Sequence, residues 1–311
     1  MNDQDKVAVC SRSFSKNEDL RKEILSRYKH VKFNDQGLTL EGKVLIDFLQ
    51  GYSKVIIGLE KINDSILDLL PKLEVVSKYG VGTDMIDFQA MKKHKVKLGW
   101  TGGVNRRAVS ELVICYAISI LRDVPIANKE VTEGIWKQHK GNLLSEKNFG
   151  IIGFGNIGQD VARLLEPFAC KVLVYDIVDI SNQSFSSNVE FVTLDYLLNN
   201  SDLVSLHLPL NDDTALILNK KRLNMMQNHS VLINLSRGGL VDEDALKEAL
   251  MNYKIRGAAF DVFAEEPPKD HELLNLDNFL STPHIGGLAK ESIMAMGYAA
   301  IDGLDNNSLL K

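Results

Sequence analysis

The chain has 311 residues, 45% of them hydrophobic and 25% charged, and a formal net charge of −5 at pH 7. These values describe an ordinary soluble globular protein of about two domains, and mild acidity without a long basic run excludes an extended nucleic-acid footprint. No run of about 18 apolar residues offers a membrane span, and Met1-Asn2-Asp3-Gln4-Asp5-Lys6 lacks the features of a signal peptide, so the expected location is cytoplasmic.

In chain order, Val7-Ala8-Val9-Cys10, Lys54-Val55-Ile56-Ile57-Gly58 and Glu74-Val75-Val76-Ser77 are short β-rich runs. Helical segments separate them, such as residues 64–70, which stop at Pro71. This alternation predicts a parallel α/β sheet. After Val96-Lys97-Leu98 a glycine-rich stretch, 99–103, leads into an apolar-periodic helix over about 106–121, with Asn105 as its N-cap. A hinge is expected there, closing the first domain.

The next segment is the most specific. Asn148-Phe149-Gly150-Ile151-Ile152 reads as a strand, Gly153-x-Gly155-x-x-Gly158 as a tight turn, and Ile157, Val161, Leu164 and Leu165 as the stripe of a helix. Lys171-Val172-Leu173-Val174-Tyr175 is a second strand, and Asp176 follows it, 18 residues past the last glycine. In that context the glycines form a dinucleotide-binding fingerprint. Gly153 permits the turn, Gly155 lets the backbone approach a pyrophosphate, and Gly158 lets helix and strand pack closely. The orphan N–H groups of the helix then face the phosphates.

Further strands are expected at 203–206, 230–235, 257–261 and 279–281, completing a second sheet. The helix over about 290–304 has no room in that sheet and is expected to return to the first domain. Cys10, Cys115 and Cys170 are odd in number, far apart and set in apolar sequence, which predicts buried free thiols rather than a disulfide framework or metal site. No metal is expected, and Asn182-Gln183-Ser184 reads as chance surface sequence.

Three strand ends carry polar groups: Asn234-Leu235-Ser236-Arg237-Gly238-Gly239, Asp261-Val262-Phe263-Ala264-Glu265-Glu266-Pro267 and Thr282-Pro283-His284-Ile285-Gly286-Gly287. Open α/β sheets place their ligands there. Hydride transfer to a 2-oxo acid needs a cation that grips the carboxylate bidentately, for which Arg is suited. It also needs a proton donor for the carbonyl oxygen, which a histidine beside a carboxylate supplies. Singly, Arg237 reads as a helix-start arginine and Glu266 as a solvated loop acid. Their joint occurrence with His284, in this order and at strand ends, makes them a catalytic set.

With these motifs the chain resembles the D-isomer-specific 2-hydroxyacid dehydrogenases, phosphoglycerate dehydrogenases among them, from about Gly80 to the C-terminus. Gly80-Val81-Gly82-Thr83-Asp84, His207-Leu208-Pro209-Leu210 and Val241-Asp242-Glu243 add to the match. The resemblance implies two doubly wound parallel-sheet domains: a Rossmann NAD-binding domain over 100–285 and a discontinuous flavodoxin-like substrate domain over 1–99 and 286–311. It implies NAD as cofactor, Arg237, Glu266 and His284 as the catalytic set with Glu266 paired to His284, and the N–H groups of Val81 and Gly82 on the substrate carboxylate, flanked by Lys78. Asn156 and Ile157 would lie on the pyrophosphate, Asp176 on the adenosine ribose, His207 and Pro209 along the cofactor, and Leu235 and Asp261 at the nicotinamide amide. Ser236, His284 and Gly286 complete the cofactor-binding positions. The expected partners are a small 2-oxo or 2-hydroxy acid and a second copy of the chain, joined through the 106–121 helix and the arm over 130–144, with no nucleic acid and no membrane.

The departures bear on the substrate. The family pattern Asn-Thr-Pro-Gly is replaced by Trp100-Thr101-Gly102-Gly103. The loop Gly58-Leu59-Glu60-Lys61-Ile62 lacks the arginines that hold a phosphate in bacterial-type phosphoglycerate dehydrogenases, and no chain remains for the regulatory domain some of them carry. Alternative readings are a nucleotide-sensing protein like the corepressors that share this fold, 3-phosphoglycerate dehydrogenase proper, and formate oxidation. Glu266 speaks against formate oxidation, because those enzymes place glutamine there.

Overall fold

The computed structural model describes residues 2–178, 188–269 and 272–310, so the Asn182-Gln183-Ser184 triplet lies outside the described residues. The chain divides into a discontinuous unit, Met1–Asn105 with Lys290–Lys311, and a central unit, Arg106–Ala289. Both breaks fall a few residues beyond the bounds expected from the sequence.

The discontinuous unit is built on β1 (Asn2–Val9), β2 (Tyr28–Phe33), β3 (Lys54–Ile57), β4 (Val75–Lys78) and β5 (Lys97–Gly99). Their order is β2-β1-β3-β4-β5, with every pairing parallel. This is the flavodoxin-like order. Alternate residues enter opposite cores: Ala8, Val55 and Ile57 join Leu45, Leu49 and Met91, while Val7, Val9 and Ile56 join Phe14, Leu20 and Ile301. The C-terminal helix, Lys290–Gly303, belongs to the second face. Ser77 Oγ donates to the Ala300 carbonyl at 2.6 Å, and a Cβ on Gly99 would overlap the Gly303 backbone. The 64–70 helix is shorter than expected, Asp64–Leu67, with Asn63 Oδ1 accepting from Ile66 N–H. β2 escapes a sequence reading because Tyr-Lys-His-Val-Lys-Phe is an edge strand with charges on its open side.

The central unit contains β6 (Asn148–Ile152), β7 (Lys171–Tyr175), β8 (Val189–Phe191), β9 (Leu203–Leu206), β10 (Val231–Asn234), β11 (Gly257–Phe260) and β12 (Phe279–Ser281). Their order is β12-β11-β10-β9-β6-β7-β8, again all parallel. This is the dinucleotide-binding order with one added strand, and it reverses between β6 and β9. Helices cover both faces, so the inner strands β9, β10 and β11 are buried along their whole length. The helix Arg106–Leu121 buries Val109, Val113, Tyr116, Ala117 and Ile120 at helical spacing.

Two expectations fail on this helix. Asn105 Oδ1 is buried with no hydrogen-bond partner among the described residues, so it does not cap the first turn. Cys10 and Cys170 are buried as expected, but Cys115 is exposed because it lies on the outward side of the helix. Among the described residues no helix is long and apolar enough to cross a membrane.

Candidate dinucleotide and catalytic site

The fingerprint glycines occupy the switch point between β6 and β9. Gly153 has φ +94°, and a Cβ there would come within 2.6 Å of the His207 carbonyl oxygen, so both backbone conformation and space require glycine. Gly158 abuts Gly153 and Ile151, whereas a Cβ on Gly155 would meet only open space. Gly155 is the N-cap of the helix Asn156–Leu165 and offers no side-chain cap. The first N–H groups of that helix, from Asn156 and Ile157 onward, therefore present a partial positive charge suited to a phosphate anion. Asp176, at the end of β7, accepts from Phe154 N–H at 2.6 Å and from Val178 N–H at 2.8 Å, which binds the acid to the glycine turn. Ile177 and Val178 beside it are exposed. The glycine turn, the open helix end and the acid beside them fit a dinucleotide.

His207, at the end of β9, is of intermediate exposure as a residue, yet its Nδ1 is sealed from solvent and unpartnered among the described residues. Its Nε2 lies 3.0 Å from Ser205 Oγ. Burial pushes the imidazole down to about 3, so it stays neutral and does not serve as a proton donor near pH 7. Pro209, two residues on, is exposed.

Past β10, Asn234 organises the turn: its Oδ1 accepts from Ser236 N–H at 3.0 Å and its Nδ2 donates to the Arg237 carbonyl at 2.8 Å. Leu235 is buried. The Ser236 hydroxyl donates to the Leu206 carbonyl at 2.7 Å, and Arg237 Nη1 donates to the Ser236 carbonyl at 2.7 Å. The Ser236 hydroxyl is thus already engaged in holding β9 to β10.

The remaining groups converge on one turn. Glu266 Oε1 accepts from Phe263 N–H at 3.1 Å, and Glu266 Oε2 lies 2.8 Å from His284 Nδ1. The carboxylate fixes Nδ1 as the protonated nitrogen and leaves Nε2 to exchange a proton. His284 has φ +55°, a conformation that costs a non-glycine residue roughly 1–2 kcal/mol. Asp261, 1% exposed, sustains it. Its main-chain oxygen accepts from His284 N–H at 2.9 Å. Its carboxylate accepts from Ile285 N–H at 2.8 Å, Gly286 N–H at 2.7 Å and the Thr282 hydroxyl. Thr282 Oγ in turn bonds the Tyr116 hydroxyl. A Cβ on Gly286 would stand 3.0 Å from Asp261 Oδ2, so glycine permits that close amide contact. Asp261, expected at the nicotinamide amide, and Gly286, expected at the cofactor, also clamp the histidine turn. Sequence reasoning had no means to pick out Tyr116, which reads as one more core residue of a periodic helix.

On the discontinuous unit, Val81 and Gly82 lie in the loop after β4, where Trp100 Nε1 donates to the Val81 carbonyl at 3.0 Å. Lys78 is buried and donates to the Tyr79 carbonyl at 2.8 Å. Glu60 Oε2 accepts from Gly58 N–H at 2.6 Å. Arg107, in the central unit, pairs with buried Asp160 at 2.9 Å, which makes it a helix-to-helix tie.

An uncapped helix beside an acid at the switch point, with a carboxylate-paired imidazole on the same sheet edge, belongs to nucleotide-dependent oxidoreductases. The chain is a member of the D-isomer specific 2-hydroxyacid dehydrogenases, whose NAD binding domain matches residues 114–286. It is therefore an NAD-dependent dehydrogenase of 2-hydroxyacids. It is 35% identical to a hydroxypyruvate reductase of Thermotoga maritima over 247 residues, which cover 78% of this chain and 80% of that protein. It is 36% identical to a D-3-phosphoglycerate dehydrogenase of Methanocaldococcus jannaschii over 240 residues, 76% of this chain but only 46% of that protein, so it spans about half of that relative. Its fold is similar to that of an NAD-dependent formate dehydrogenase of Staphylococcus aureus solved with NAD, at a TM-score of 0.80, 27% identity, and coverage of 95% of this chain and 93% of that one.

Proposed function

We propose that this dehydrogenase interconverts a small unphosphorylated 2-oxo acid and its D-2-hydroxy acid, with Arg237 holding the carboxylate and His284 acting as acid and base. NAD, when bound, supplies the hydride exchange at C2. The observation that carries the reading is the 2.8 Å pair of His284 and Glu266 on a turn clamped by Asp261. Glu266 orients the ring, so His284 Nε2 protonates the carbonyl oxygen in reduction and takes the proton back in oxidation. The guanidinium of Arg237 grips the carboxylate as a planar fork. Val81 and Gly82 are assigned as amide donors to that carboxylate and Lys78 as a neighbouring cation. The neutral ring of His207 and the ordered turn at Leu235 support their assignment to the cofactor wall.

The loop 58–62 supports an unphosphorylated substrate, because Glu60 stands where phosphate-binding arginines are expected and its like charge disfavours a phosphate dianion. We also assign the protein to the cytoplasm and to a homodimer. The helix Val124–Thr132 buries none of its residues, and Trp136 is 84% exposed, with Ile135 and Leu143 exposed beside it. An isologous interface covers such an arm. A panel of 2-oxo acids with NADH, read by the loss of reduced-nicotinamide absorbance, tests the activity. Turnover of none of them would refute it. Sedimentation at micromolar concentration should show twice the 34.7 kDa chain mass, and a monomer would remove the dimer.

A further inference from the structure

The Tyr116 hydroxyl lies in the core of the helix Arg106–Leu121, at a position where packing alone is satisfied by Leu or Phe. Tyr116 is 2% exposed, and burying a hydroxyl is unfavourable unless it is hydrogen-bonded. Its bond goes to Thr282 Oγ. Thr282 has a single O–H, and that proton is directed to Asp261 Oδ1. The Tyr116 O–H is therefore the donor in its bond to Thr282. Desolvation pushes the phenol up to about 12, so it keeps this proton across the working range. The result is a one-way chain, Tyr116 to Thr282 to Asp261, ending on the carboxylate whose two oxygens accept from the successive N–H groups of Ile285 and Gly286 in one backbone segment. That segment begins at His284, whose left-handed φ has no glycine to relieve it.

We propose that Tyr116 is a positioning residue for the proton donor. Its hydroxyl orients the Thr282 O–H on Asp261 and thereby holds the His284 turn in its strained geometry, without touching substrate or cofactor. The inference rests on the assignment of His284 as acid and base.

The test compares Tyr116→Phe, Thr282→Val and Thr282→Ser in the full-length enzyme. Tyr116→Phe should lower kcat roughly 3–10-fold and Thr282→Val about tenfold or more, the scale of a small misplacement of a reacting group. KM for the 2-oxo acid and the Kd for NADH, read by nicotinamide fluorescence, should stay within about twofold. Thr282→Ser, which keeps the hydroxyl, should recover most of the loss. Amide exchange at Ile285 and Gly286 should quicken in Tyr116→Phe. Two backgrounds then decide the route of the effect. The double variant Tyr116→Phe with Thr282→Val should be no slower than Thr282→Val alone. Adding Tyr116→Phe to His284→Asn should leave the residual turnover unchanged. A Tyr116→Phe loss that persists undiminished in the His284→Asn background overturns the inference, as does a rise in KM or Kd at unchanged kcat. Full turnover by His284→Asn alone would instead overturn the assignment of His284, so the two failures are distinguishable.

Discussion

Two carboxylate clusters, one in each unit, are held in opposite ways. In the central unit Asp176, Asp261 and Glu266 all lie past strand C-termini and accept from main-chain N–H groups: Phe154 and Val178, Ile285 and Gly286, and Phe263 respectively. In the discontinuous unit the comparable cluster gathers near the other strand ends. Lys54, the first residue of β3, bonds Asp5 at 2.9 Å and Asp305 at 3.0 Å, and Tyr28, the first residue of β2, donates to Asp305 at 2.5 Å. A carboxylate held by amides dictates the path of a loop and so shapes a site. A carboxylate held by a lysine and a phenol ties a returning segment of chain to the sheet. The first kind should govern turnover and cofactor choice, the second stability.

The largest effect expected is that of His284→Asn, which should lower turnover by roughly 10²–10⁴ while NADH binding stays nearly intact. Unchanged turnover in the purified variant would end the assignment of His284. Next comes Asp176. A few kcal/mol of repulsion between its carboxylate and a 2′-phosphate should favour NADH over NADPH in kcat/KM by about tenfold to a hundredfold. No lysine or arginine lies between Ile177 and Asn188 to neutralise such a phosphate. Equal values for the two cofactors would show that the acid does not select.

Smaller effects are expected from the stability cluster. Asp305→Asn should cost about 1 kcal/mol, discounted for the exposure of the side chain, and should leave kcat unaltered. Partial burial raises the Asp305 carboxyl, but the hydrogen bonds from Tyr28 and Lys54 outweigh it and hold the group below its usual 3.8. The folded state therefore binds this proton less readily than the unfolded chain. The contribution is fully present above about pH 4 and is lost as pH falls through the lowered value. His207 acts in a higher window: held down to about 3 from 6.5, it makes stability decline as pH falls from about 6.5, because the unfolded chain takes up the proton first. Urea midpoints against pH should show a shallower acid slope above pH 4 in His207→Gln and a lower plateau in Asp305→Asn. Identical curves for both variants would erase the contrast. The smallest effect is that of Glu60→Arg, a charge change of two, which should improve use of 3-phosphohydroxypyruvate severalfold and less so at high salt. A native preference for the phosphorylated acid, unaltered by the substitution, would place Glu60 away from the substrate.

Legibility in the sequence followed local physics. The fingerprint was readable because Gly153, Gly155 and Gly158 each answer a backbone requirement within one βαβ segment, and β6, β7 and β9 to β11 because strands buried on both faces are continuous apolar runs. β2 and the helices Glu18–Arg27 and Gly42–Leu49 were passed over, the strand because an edge strand mixes charge into its pattern. Cys115 was misjudged because apolar neighbours in sequence point to several faces of a helix, only some of them inward.

The sequence by itself determined the alternation of strand and helix, the glycine turn with its acid, and the order in which an arginine, a glutamate and a histidine arrive at strand ends, since each depends on spacing within a few dozen residues. Only the tertiary structure decided that Glu266, expected to pair with His284, meets it at Nδ1, that Asp261 clamps the histidine turn, and that Tyr116 reaches this turn from a helix 166 residues earlier in the chain. Hydrogen bonds between such distant segments depend on how β10, β11 and β12 stack in register against that helix. No local propensity encodes such a register.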